Sequence, residues 1–267
     1  MSISIDQIAL TCFTIRDHCQ TEDDFSRSID RLRGIGYQTV QVSAVPLEPA
    51  VVRRICDAAG MRICASHDGG DPLFDDTQAV IDKLQTYGCT ATAYPHPHVS
   101  IETYEDVCAL AEKLDQAGAA MRAAGMVLTY HNHHHELRRI GDQTILEHLY
   151  RLTDPAHLQG EIDTYWIQRG GADPVAWIQR LQGRLPLLHL KDFEFRAGDQ
   201  KQHFGAIGDG NLDWPRILRA AATAGCQWYI VEQDSNWYND DPFQAAERSF
   251  RYLADLVPTL SRSPTCI

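Results

Sequence analysis

The chain has 267 residues, 44% of them hydrophobic, and a formal net charge of −12 at pH 7. That length suits one α/β barrel of roughly 250 residues, although length alone also allows two domains. The acidic balance, with no Lys/Arg cluster, argues against a nucleic-acid partner, whose phosphates want a basic footprint.

Strands are expected at 8–13, 39–45, 62–67, 89–94, 127–133, 159–165, 186–192 and 228–233, each a short apolar run. Helix-like stretches follow them in turn: 23–36, 48–60, 76–88, 104–125, 144–153, 173–184, 214–225 and 241–257. Five of these end in a glycine followed at once by the next strand (Gly36, Gly60, Gly88, Gly125, Gly225), the left-handed helix stop of a tight turn. Proline recurs in the first helical turn, in DP at 173–174, WP at 214–215 and DP at 241–242. Eight alternating β and α units predict a parallel sheet closed into a (β/α)8 barrel, with residues 1–267 as a single domain. An open doubly wound sheet is the alternative, disfavoured because no G-x-G-x-x-G follows any strand.

Four of the later strands end on residues able to bind a metal: VLTYHNH (127–133), LQGEIDTYW (158–166), PLLHLKDF (186–193) and WYIVEQD (228–234). His131, Asp163, His189 and Glu232 are the key positions, and His133, Glu161, Lys191 and Asp234 each stand two residues away. Strand side chains alternate faces, so all eight groups can point into one cavity at the C-terminal mouth, where barrels of this kind place their chemistry. Two imidazoles and two carboxylates suit a divalent ion with open coordination positions, such as Mn, Co, Fe or Zn, and the absence of a thiolate disfavours a structural zinc. Taken singly, any of the four can equally be a strand-end group hydrogen-bonded to a loop.

The run HNHHHEL (131–137) leaves more open. His133 can serve as ligand, as support for a ligand or as a substrate contact. His134 and His135 begin a loop, and Glu136 lies where that loop can fold over the mouth.

In order, YHNHHHEL, EIDTYW, HLKD, GAIGDGNLDW and VEQD resemble the xylose-isomerase-like TIM-barrel superfamily of sugar phosphate isomerases and epimerases. The likeness runs from ALTCFTIRD (9–17) to the final helix. It implies metal ligands at His131, Asp163, His189 and Glu232, and a carbohydrate substrate. Relatives of this kind include keto-sugar 3-epimerases, inosose dehydratase, hydroxypyruvate isomerase, enzymes acting on 3-keto-glucosides, and endonuclease IV. In the keto-sugar epimerases the first metal position is a Glu, paired with the last Glu across the substrate. Here it is His131, which counts against a symmetric two-carboxylate epimerisation.

The expected chemistry is removal of a proton beside a carbonyl, with Glu232 as first candidate base and His133 or Glu136 as the second proton-handling group. Lys191 can stabilise the oxyanion or protonate a leaving hydroxyl. Isomerisation or epimerisation is the expected outcome, with dehydration or hydration of an inosose or 3-keto-glucoside as the alternative. Trp166 and Tyr165 can form a wall for a sugar face, and Arg16, His67 and Tyr94 can contact hydroxyls. The Gly-rich GAIGDGNLDW (205–214) can close over substrate, or simply lead into the next helix. Two other classes stay in view: an endonuclease IV-like nuclease, which would need more ligands and a basic surface, and a barrel that binds without turnover.

The eight cysteines (Cys12, Cys19, Cys56, Cys64, Cys89, Cys108, Cys226, Cys266) form no C-x-x-C pair and read as reduced thiols of a cytoplasmic protein. The opening MSISIDQIAL lacks a basic region and a long apolar one, and no apolar run approaches the ~20 residues that span a bilayer, so neither export nor membrane insertion is expected. Oligomeric state is not legible.

Overall fold

Eight parallel strands follow one another around a closed barrel: β1 (Ile8–Thr11), β2 (Thr39–Val42), β3 (Arg62–His67), β4 (Ala91–Tyr94), β5 (Val127–His131), β6 (Leu158–Asp163), β7 (Leu187–Leu190) and β8 (Trp228–Val231). The last strand closes on the first, with Ile8 beside Tyr229 and Ala9 beside Ile230. This is the architecture of the computed structural model, which describes residues 3–260; Cys266 lies outside that range. The seven described cysteines are free thiols. Among the described residues no helix is long and apolar enough to cross a membrane.

Helices α1 (Glu22–Ile35), α2 (Pro49–Ala58), α3 (Gly70–Asp75), α4 (Thr77–Tyr87), α5 (Tyr104–Ala123), α6 (Ile145–Leu152), α7 (Thr164–Arg169), α8 (Pro174–Arg180), α9 (Trp214–Ala224) and α10 (Pro242–Leu260) connect the strands. Their apolar stripes explain the outer packing: α1 buries Phe25, Ile29 and Leu32 at helical spacing against the strand ring. Truncating a fully buried side chain of this packing layer, such as Leu114 on α5, would cost about 2–5 kcal/mol. Helix starts are secured by side chains: Thr103 with Asp106, and Thr144 with Glu147, form reciprocal capping boxes. Gly88 and Gly225 end α4 and α9 in the left-handed region, as the sequence spacing predicts.

Several strands are shorter than expected, and in β1 and β6 the reason is local capping. Thr11 ends β1 by capping the 3-10 turn Cys12–His18. Asp163 ends β6 because its carboxylate accepts from the Trp166 amide and starts α7, so Thr164 and Tyr165 are helical where the apolar run reads as strand. The expected strand 127–133 stops at His131, leaving His133 in the following loop. The short helix α3 and two hairpins, Arg139–Ile140 with Gln143–Thr144 and Asp192–Phe195 with Gln202–Gly205, lack the length for a periodic signal.

Inside the barrel a floor of Ala9, Ala65, Ala91, Leu187 and Ile230 is apolar. The polar residues that the later strands carry form a separate level nearer the mouth.

Candidate metal centre and active site

His131, Asp163 and His189 sit on neighbouring strands, with Glu232 just past the end of β8, and all four are buried. His189 and Asp163 are register partners across β6 and β7, so the barrel's pairing sets their side chains beside each other. One ligand atom from each of the four residues lies within 4.8 Å of every other. Donors that share an ion at about 2.1 Å each stand roughly 3–4 Å apart, so small side-chain adjustments close this set on one divalent cation. The polar inventory fits such an ion: Asp163 Oδ2 is buried without a hydrogen-bond partner, 3.9 Å from His131 Nε2 and 3.7 Å from Lys191 Nζ.

A second set, His67, His131, Glu161 and His189, meets the same 4.8 Å limit and shares both histidines with the first. Glu161 is fully buried. Its Oε1 accepts from Gln41 Nε2 at 2.6 Å, and its Oε2 meets His67 Nε2 at 2.8 Å and His131 Nδ1 at 3.3 Å.

Lys191 closes the other side. Its Nζ lies 3.0 Å from Glu232 Oε2, 2.7 Å from Asp234 Oδ1 and 5.0 Å from the ring centre of Trp166. Thr164 holds the Lys191 backbone: its hydroxyl accepts from the Lys191 amide at 3.0 Å and lies 2.9 Å from the carbonyl of the same residue.

Burial and neighbouring charge divide the titratable groups. Burial alone would lower the Lys191 ammonium and the His189 ring, but nearby carboxylates outweigh it, raising Lys191 further and His189 to about 10. Burial would likewise raise Glu232, yet the charges of Lys191 and His189 hold it well below the usual range and ionised. Asp163 goes the other way, raised to about 7 by burial in spite of Lys191. Burial lowers His131 to about 4, helped by the charge of His189, and lowers His133 further still. Both stay neutral, facing an ionised carboxylate and an ammonium.

A cavity of about 340 Å³ opens onto these groups, lined by Phe13, Ser43, Ala44, His67, Pro95, His96, His131, His133, Lys191, Glu232 and Asp234. His133 has a buried Nδ1 without a partner, and its ring centre is 5.1 Å from that of Trp166. Trp166 itself is buried, with an unpartnered Nε1. His134 is exposed, as the loop reading expects, and its ring stacks on that of Trp166, 5.2 Å between centres.

Three expected site residues take other positions. Glu136 does not fold over the mouth: it is fully buried, and its carboxylate accepts from the Tyr130 hydroxyl at 3.0 Å and the His133 amide at 2.9 Å, because those donors would otherwise lack partners. Tyr94 lines a separate recess with Phe74 and His98, its hydroxyl accepting from the His98 amide. Arg16 ties two loops together by donating to the carbonyls of Phe13 and Asp234. His67, by contrast, lines the cavity.

The Gly-rich loop is anchored. The amides of Gly208 and Gly210 and the Trp214 indole N–H all donate to Asp192 Oδ2, at 2.8, 3.1 and 2.8 Å. Donors that could cradle a phosphate are thus taken by the protein's own carboxylate. Two residues escape the sequence reading. Asn132 accepts from the Asp163 amide at 3.1 Å, and Gln41 joins Glu161 to His189. A glutamine inside the apolar run TVQV was the available signal for the second.

Comparison with known proteins agrees with this architecture. A family model described as xylose isomerase-like TIM barrel matches residues 29–256. Proteins named inosose dehydratase from Lacticaseibacillus casei and Mesomycoplasma hyopneumoniae (strain 7448) are 25% and 24% identical to the chain; each alignment covers 87% of this chain and 89% of the relative. A solved sugar phosphate isomerase/epimerase from Parabacteroides distasonis superposes with a TM-score of 0.80 at 22% identity, covering 97% of this chain and 96% of the other. A xylose isomerase-like TIM barrel protein from Mycobacterium smegmatis in complex with magnesium gives 0.72 at 12% identity, covering 96% and 98%. At those identities the two structures speak for the fold alone. With the family model spanning most of the barrel, the chain belongs to the xylose isomerase-like TIM barrel family.

Proposed function

We propose that the protein is a divalent-metal-dependent enzyme that removes water from a small polyhydroxylated ketone of the cyclitol or keto-sugar type. The observation that carries this reading is the asymmetry of the cavity. The ionised Glu232 and its neighbour Asp234 both pair with the Lys191 ammonium, and the imidazoles of His131 and His133 that line the cavity with them are neutral. Epimerisation through two opposed carboxylates is poorly served by that arrangement. Elimination needs only one base beside an electrostatic partner. The name of the inosose dehydratase relatives supports the same choice.

A cation held by His131, Asp163, His189 and Glu232 would supply positive charge against the substrate's carbonyl oxygen and make the neighbouring C–H more acidic. Glu232, kept ionised, takes that proton. The electron pair becomes the new C=C bond as the β C–O bond breaks, and the departing hydroxyl leaves as water with the proton that Glu232 returns. Lys191, raised by its carboxylate neighbours, stays charged and opposes negative charge growing on oxygen. His133 offers a neutral nitrogen for a substrate hydroxyl, and Glu136 steadies the His133 backbone. Trp166 forms an apolar wall behind Lys191.

The test is a screen of inososes, 3-keto-glucosides and keto sugars in heavy water with added Mn, following deuterium uptake and product mass together. Loss of water from a ketone substrate is expected. Deuterium uptake with an intact skeleton would replace this reading with isomerisation or epimerisation. Absence of turnover and of any affinity for a divalent ion would leave a binding barrel.

A further inference from the structure

His131 and His189 each turn their two ring nitrogens toward opposite sides. On the mouth side, His131 Nε2 faces Asp163, and His189 Nδ1 lies 3.0 Å from Glu232 Oε2. On the barrel side, His131 Nδ1 is 3.3 Å from Glu161 Oε2; His189 Nε2 is 3.5 Å from Glu161 Oε1 and 2.8 Å from Gln41 Oε1. Gln41 in turn donates through Nε2 to Glu161 Oε1 at 2.6 Å. One carboxylate therefore faces both imidazoles, His131 across 3.3 Å, where a small ring rotation would complete the hydrogen bond, and His189 through an amide whose orientation it sets.

Two overlapping donor sets meet the distance limit for an ion, and hydrogen bonding distinguishes them. On the barrel side both Glu161 oxygens already have donors, Gln41 on one and His67 on the other. On the mouth side the unpartnered buried atom is the acceptor Asp163 Oδ2, whereas on the barrel side it is a ring nitrogen, His131 Nδ1, 3.3 Å from Glu161 Oε2. A buried acceptor without a donor is unfavourable and a cation relieves it, so the ion belongs on the mouth side.

We propose that Glu161 is a positioning residue shared by both candidate ligand histidines. It keeps the proton on Nδ1 of His131 and on Nε2 of His189, so that His131 Nε2 and His189 Nδ1 are presented to the ion. Carboxylate acceptors behind ligating histidines fix tautomer and ring orientation in this way. A single acceptor serving two ligands makes their geometry interdependent, so one substitution disturbs both. The inference rests on the metal-dependent reading above.

The experiment uses the full chain, as wild type and as Glu161→Gln, Gln41→Leu and Asp163→Asn, with Zn(II) as probe. Stoichiometry and affinity are measured by chelator competition, and ring protonation by long-range 1H–15N NMR of the Zn-loaded protein. Wild type is expected to bind one ion per chain, with the proton on Nδ1 of His131 and on Nε2 of His189. Glu161→Gln should still bind one ion, roughly 10–100-fold more weakly, with mixed tautomers at both rings. Should Glu161→Gln fail to fold, Gln41→Leu carries the test by disturbing His189 and leaving His131 unchanged. An affinity within twofold of wild type with unchanged tautomers would overturn the proposal while leaving the metal-dependent reading standing. Loss of the ion in Glu161→Gln but not in Asp163→Asn would move the ion to the barrel side and overturn it too. A wild-type protein that binds no divalent ion would overturn both.

Discussion

Lys191 Nζ stands 3.0 Å from Glu232 Oε2, and the same oxygen lies 3.0 Å from His189 Nδ1. Ammonium and imidazole thus share one buried carboxylate oxygen. An ion that claims His189 and Glu232 changes what Lys191 pairs with, and Asp234 at 2.7 Å is there to hold it.

Glu232→Gln should abolish turnover more completely than it lowers ion content, because an amide keeps a weak oxygen ligand and loses basicity. Loss of a positioned base costs roughly 10²–10⁴-fold in rate. Turnover and bound metal are measured on the same preparation. A near-normal rate with metal bound would make Glu232 a ligand only and send the search for the base to His133.

Lys191→Met should leave the ion bound and slow the reaction at least tenfold, equivalent to about 1.4 kcal/mol of transition-state stabilisation. Removing one member of a buried ion pair also strands its carboxylates, at about 3–5 kcal/mol. The thermal midpoint of the ion-free variant should therefore fall, with added metal restoring part of it. A lower midpoint with kcat/KM changed less than twofold would take Lys191 out of the mechanism.

Metal uptake should release protons. In the ion-free protein His189, at about 10, is protonated at pH 8, and Asp163, at about 7, becomes protonated below neutrality. An ion competes with both protons, so its affinity rises with pH and falls as pH drops. Calorimetry in two buffers of different ionisation enthalpy should find about one proton released per ion at pH 8, approaching two at pH 6. No release at either pH would place the ion away from these groups.

Gly210→Ala should destabilise the fold. A Cβ there would stand 2.3 Å from Asp192 Oδ1 and 2.7 Å from the Phe193 carbonyl, inside the cradle that holds the Asp192 carboxylate. Overpacking of this kind costs about 1–3 kcal/mol, a fall of roughly 2–10 °C in Tm for a chain of this size. Gly34→Ala, a helical position with no atom within 4 Å of the added carbon, is the control and should be neutral or slightly stabilising. Equal midpoints for the two variants would show that the cradle is not tightly packed.

The barrel was legible because its determinants are local and repeated. Apolar runs, helical stripes, Gly88 and Gly225 as helix stops and Pro174 at a helix start each act within a few residues, and eight repetitions leave little choice of topology. Strand alternation likewise indicated that Glu161 with Asp163, and His189 with Lys191, share a face. Where a side chain caps its own backbone the rule fails, and Asp163 turning the chain into α7 is the instance.

By itself the sequence determined the order of the eight barrel strands and that Asp163, His189, Lys191 and Glu232 lie at or just past strand ends, but it did not separate them from Glu136, Tyr94 and Arg16, which the fold places elsewhere. Only the tertiary structure decided what each of those residues touches. Glu136 against Tyr130, Gln41 between Glu161 and His189, and Asp192 inside the Gly-rich loop are contacts set by barrel closure and by the demand that every buried donor find an acceptor. Three of those four links join different strands or loops, and periodicity along one strand carries no information about them.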